Sequence, residues 1–110
     1  MNKLENISLS ELEICLLKDV VAIRDGGNDE ASLRIIDSAI LAGAQREECL
    51  LDNRARALHN LNRFPEAISI WNELQGSNNQ DIRKKSKRFA DSATEKYLQS
   101  IQKAVVVLYN

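Results

Sequence analysis

The chain has 110 residues, with 15 Lys and Arg against 16 Asp and Glu, one Pro, four Gly and two Cys. That length suffices for one domain with a core but not for two, and a formal net charge of −1 selects no class of partner. Few residues favour strands, and Leu, Ala, Ile, Glu, Asn, Arg and Lys dominate, so the composition points to an all-α fold.

The opening residues MNKLENISLSEL are polar, and no apolar run approaches the ~20 residues of a membrane span. Neither a signal peptide nor a transmembrane helix is expected, and a cytoplasmic location follows by default. A first helix is predicted from Ser8, where Ser8-Leu9-Ser10-Glu11 has capping-box spacing, to Arg24-Asp25 before Gly26-Gly27-Asn28. Leu9, Leu12, Ile14, Leu16, Leu17, Val20, Val21, Ala22 and Ile23 make it apolar over more than one stripe. A terminal helix of a repeat array needs a polar outer face, so something is expected to cover the second side of this one.

A second helix is predicted over Asp29–Leu41, with Leu33, Ile36 and Ile40 in one stripe, and Ala42-Gly43-Ala44 stops it. Residues 47–74 then read as two short amphipathic helices. Leu51, Ala55, Leu58 and Leu61 share one face of the first, while Phe64, Ala67, Ile68, Trp71 and Leu74 follow helical spacing in the second. Asn62-Arg63 is the turn, because Asn tolerates left-handed backbone, and Pro65 fits the first turn of the next helix. Trp71 is expected in the core, and His59 is read as a plain surface residue.

This stretch resembles a tetratricopeptide repeat. In that family a large and then a small residue on the first helix, a short turn, and a small and then a large residue on the second set the hairpin packing. Here those roles fall to Leu51, Ala55, residues 61–64, Ala67 and Trp71. Asn62 stands where Gly is usual, Asn79 where a closing Pro is common, and Arg54 replaces a usual Leu. A degenerate first copy lies at 9–42. Glu13-Ile14-Cys15-Leu16-Leu17 matches Glu47-Glu48-Cys49-Leu50-Leu51 at four of five positions, 34 residues apart, and Glu30-Ala31 matches Glu66-Ala67 at 36. Its turn, Gly26–Asp29, lacks the Arg-aromatic pair. The expected fold is therefore one all-α domain of antiparallel helical hairpins: hairpin 1 at about 8–42, hairpin 2 at about 46–75, and a long C-terminal helix at about 80–108.

The resemblance implies a peptide-binding groove, and the residues of this chain that would face it are Lys18, Asp52, Arg56, His59 and Asn60. Asp52 is wrong for the family's subset that clamps a C-terminal carboxylate, so that activity does not carry over.

After Gln75-Gly76-Ser77-Asn78-Asn79 restarts the chain, Ile82, Phe89, Ala93, Tyr97, Ile101, Val105 and Leu108 keep helical spacing with no Gly or Pro. As one helix this segment would reach roughly 40 Å, so it outruns the body, breaks or folds back. The tail residues Val105, Val106, Leu108 and Tyr109 are self-association candidates. Val-Val-Val is poor helix material and aggregation-prone if exposed. It is expected to pack on the over-apolar first helix of its own chain, or on another copy as a dimer.

Charge is uneven. Residues 1–60 carry seven Lys and Arg against eleven Asp and Glu, and residues 61–110 carry eight against five. Arg83, Lys84, Lys85, Lys87 and Arg88 form a basic run, read as a solvated face or as a contact for an acidic protein or for the chain's own acidic half, with nucleic acid the less favoured use. No chelating arrangement accompanies the one His and two Cys, so no metal or other cofactor is expected. Cys15 and Cys49 are read as buried free thiols. His59 is ten residues from Cys49, about 15 Å along a helix, too far to act as its base. The expectation is a non-catalytic protein-interaction module, an adaptor, small chaperone or assembly factor that self-associates and does not enter a membrane. The alternative is a nucleic-acid-associated regulator using the basic run.

Overall fold

Five helices follow one another: α1 (Leu9–Asp25), α2 (Asp29–Leu41), α3 (Glu47–Asn60), α4 (Phe64–Leu74) and α5 (Gln80–Tyr109). The computed structural model describes the backbone of residues 9–44 and 47–109 and the side chains of residues 16–44 and 48–109. Among these residues there is no strand, and the fold is all-α. The capping box expected at Ser8–Glu11 and the side chain of Cys15 lie outside the described residues.

Three helix ends are built the same way. At the end of α1, Gly27 (φ 90°) donates its N–H to Arg24 O and Asn28 donates to Ile23 O. At the end of α2, Gly43 (φ 86°) donates to Ile40 O and Ala44 to Ala39 O. At the end of α3, Asn62 (φ 61°) donates to His59 O and Arg63 to Leu58 O. Each is a Schellman cap, in which one left-handed residue lets two N–H groups turn back onto carbonyls the helix leaves open. Asn62, the residue that departs from Gly in the repeat pattern, does the same work as the two glycines.

Helix starts are equally local. The Asn28 side chain accepts the Ala31 N–H and caps α2, with Asp29 and Glu30 in its first turn. Pro65 sits in the first turn of α4. Asn79 accepts the N–H groups of Asp81 and Ile82 and so caps α5. That role accounts for an Asn where the repeat pattern favours Pro. Ser77 Oγ accepts the Asn79 N–H, and Arg83 donates back to Ser77 O at 2.7 Å, tying the connector to the first turn of α5.

The chain divides into two compact units, residues 1–57 and 58–110, with the division inside α3. It falls where the acidic half gives way to the basic one. In the first unit α1 packs on α2. Val20, Ile36 and Leu50 are buried together, with Leu16, Leu17, Ile35, Ala39, Ile40 and Ala44 around them. Each of the three buried side chains contributes roughly 1.5–3 kcal/mol. Buried Ser32 Oγ donates to Val20 O, joining α2 to α1. Arg24 donates to Asn53 Oδ1 at 2.7 Å, and Asn53 Nδ2 donates to Cys49 O, so α1 holds α3. Arg54, in place of the usual Leu, donates to Asp37 at 2.7 Å and ties α3 to α2.

In the second unit α4 packs on α5. The buried positions of α4 are Phe64, Ala67, Ile70, Trp71 and Leu74. Those of α5 are small: Ser86, Ala90 and Ala93. Small residues on one helix admit large ones from its neighbour, and Trp71 is buried with its ring 5.3 Å from that of Phe89. The Ser86 hydroxyl is buried and has no hydrogen-bond partner among the described residues.

The long C-terminal helix is continuous. At 30 residues it extends about 45 Å. It neither breaks nor folds back, and residues 98–109 are exposed without interruption. Val105, Val106 and Val107 stand on this exposed end as part of the helix. A helix follows the hydrogen bonding of its backbone, and three β-branched residues at the end of a 30-residue helix do not stop it.

Candidate functional site

The residues expected to share a groove have separate occupations. Asp52 is buried, 7% exposed, and its carboxylate accepts from Arg56 Nε at 3.1 Å across one helical turn. A buried carboxylate held by an i,i+4 guanidinium is part of the packing, so Asp52 does not stand open in a groove. Lys18 is exposed on α1, beside Leu17, Val21, Ala22 and Asp25. Leu17 and Val21 are half-buried and Ala22 is exposed. Asn60 is exposed in the last turn of α3.

His59 is not a plain surface residue. Its ring meets Phe64 edge-on at 5.2 Å and 77°, and lies 6.0 Å from Trp71. The Schellman turn causes this, because it folds the chain back and brings the last turn of α3 onto the first residue of α4. Burial holds the imidazole below its ordinary value, and the Lys96 ammonium lowers it further. The signal in the sequence was an aromatic five residues after the His, across a turn ending in Asn62. Cys49 is a second correction: it is a free, exposed thiol. Leu50 takes the buried position beside it, and one step on a helix turns a side chain about 100°.

The basic run is a surface with internal attachments. Arg83, Lys84, Lys87 and Arg88 are exposed, and Lys85 is half-buried. Arg83 is held by Ser77 O, Lys87 pairs with Asp91 at 3.0 Å, and the Arg88 guanidinium lies 5.4 Å from the Phe89 ring centroid. The exposed pairs carry little energy. Among the described residues no cluster of three or more His, Cys, Asp or Glu could hold a metal ion. None of their helices is long and apolar enough to cross a membrane.

The largest unpartnered feature is the end of α5. Exposure runs from 42% at Ile101 to 81% at Val107 and Tyr109, with Leu98, Val105, Val106 and Leu108 between. Large apolar side chains on three turns of one helix make a patch of the kind that marks an interaction surface. Only Lys103 carries charge from Tyr97 to Tyr109. Val105, Val106, Leu108 and Tyr109, singled out in the sequence, all belong to it, and Leu98 and Ile101 extend it toward the body of the helix. Compared with known protein families, curated proteins and solved structures, the chain matches none.

Proposed function

We propose that the chain is a non-catalytic protein-interaction module, built from helical hairpins of tetratricopeptide-like pattern, that engages a partner protein through the end of α5. The observation that carries this reading is the exposed apolar surface of residues 98–109. An isolated helix end rich in β-branched residues is poorly stable in water, and burial against another protein would stabilise it. The anchors repeated at 34 and 36 residues support the hairpin relationship. An adaptor, small chaperone or assembly factor working in the cytoplasm fits these features. The basic run supports nucleic-acid binding less well, since Arg83, Lys87 and Arg88 each have an attachment within their own helix or its connector.

The test places a photo-crosslinking amino acid at Val106 of the intact chain in the cell that makes it. A discrete protein adduct is expected. No adduct at Val106, with none at Ile101 either, overturns the reading.

A further inference from the structure

We infer that the end of α5 pairs antiparallel with the same segment of a second copy of this chain. The inference rests on the interaction reading above and names its partner. Leu98, Ile101, Val105 and Leu108 are spaced three, four and three, the a/d pattern of a coiled-coil seam, and all four are exposed. The seam is palindromic about Lys103. In an antiparallel pair Leu98 faces Leu108 of the other copy, and Ile101 faces Val105, so one patch complements itself about a two-fold axis.

Charge supports the same choice. The flanking positions of the seam are Tyr97, Gln102, Ala104 and Tyr109, none of them charged at neutral pH, and Lys103 lies on the opposite face of the helix. A parallel pair would set the two basic runs at 83–88 side by side, about 10 Å apart. The antiparallel pair places them about 50 Å apart, beyond one another's helix ends and several screening lengths from contact. Area is adequate. The exposed seam and its flanks span three turns, which places the interface they can form at the low end of specific interfaces, on the order of 1,000 Å² in all. The dimer is therefore weak and reversible.

Solution mass tests this on the intact chain. At about 100 µM, a concentration suited to an interface of this size, the wild-type chain is expected to sediment at twice its 12.4 kDa. Ile101→Glu is expected to sediment as monomer with unchanged helical circular dichroism. Val107→Glu, at a more exposed apolar position off the seam, is expected to stay dimeric. Should Ile101→Glu lose helix, the uncharged Val105→Gln replaces it and is expected to weaken pairing at least tenfold. A monomeric wild type, or a Val107→Glu chain as dissociated as Ile101→Glu, overturns the proposal.

Orientation is read separately with Cys15 and Cys49 replaced by Ser. Leu98→Cys mixed with Leu108→Cys is expected to form a disulfide between copies, and Leu98→Cys alone is not. Self-crosslinking of Leu98→Cys would sink the antiparallel arrangement. The adduct at Val106 distinguishes the two levels of inference. If the chain is monomeric and the crosslinker captures a different protein, self-pairing fails and the interaction reading stands. If neither Val106 nor Ile101 captures anything, both fail.

Discussion

The two halves of α5 belong to one unbroken helix and differ in what their apolar face meets. Up to Tyr97 the face is covered: Ser86, Ala90 and Ala93 are buried, and Phe89 lies against Trp71. From Leu98 on, the large apolar side chains are exposed. The covered half has small residues inside and a charged outer surface at 83–88; the open half has large ones and almost no charge. The first half is a core built to fit a neighbour within the unit. The second has the composition of a core and the exposure of a surface, which is the physical signature of a contact completed by another molecule.

Substitutions break this contrast in order of size. Trp71→Ala removes the side chain that Phe89 and His59 both meet, and is expected to destabilise the chain by about 3–5 kcal/mol, read by urea denaturation with circular dichroism. Next comes one substitution class applied to both halves. Ala93→Leu adds volume where exposure is zero and is expected to cost about 1–3 kcal/mol through overpacking. Val106→Leu, on the open half, is expected to stay within about 0.5 kcal/mol in the same measurement at a dilution where the chain is monomeric. Equal costs at the two positions would mean that the tail is packed as tightly as the body.

Helix boundaries were legible because their signals are local. Gly27, Gly43 and Asn62 each sit where a left-handed residue is required, and α2 spans the residues its periodicity indicates. Trp71 was legible as core from its place on an amphipathic stripe. Periodicity also placed Phe89, Ala93, Tyr97, Ile101, Val105 and Leu108 on a single continuous helix, as α5 is, although steps of four residues make their stripe wind around it. It could not say where the cover on that stripe stops, because cover comes from another element and spacing describes only one. The same limit explains Asp52 and Cys49. Burial of a carboxylate depends on its neighbours, although Arg56 one turn on was a usable hint, and Cys49 misses the buried stripe by one residue. The His59 contacts arise from the turn geometry, which helical spacing does not encode.

Smaller effects sharpen the covered half further. Ser86 has a buried hydroxyl without a partner among the described residues, and removing it should relieve an unmet desolvation cost. Ser86→Ala is expected to raise stability by about 1 kcal/mol, since Ala keeps the small volume that α4 packs against and favours helix. A loss of stability on this change would show that the hydroxyl is bonded after all.

The smallest expected effect is a pH dependence confined to the covered half. His59 faces Phe64 and Trp71, with Lys96 of α5 as the charged group acting on it. Its value in the folded chain is lowered, first by burial and then by Lys96, so the fold accepts the neutral imidazole more readily than the charged one. The unfolded value is near 6.5. Stability from this group is therefore full above about 6.5 and falls as pH drops through that value toward the lowered one. Urea midpoints at pH 7.5 and pH 5.5 should differ in that direction for the wild-type chain, and the difference should shrink in His59→Gln. Residues 98–109 contain no Asp, Glu or His, so their pairing should not weaken between the same two pH values. A dimer that dissociates over that range in step with His59 would show that the two halves of α5, here treated as independent, respond together.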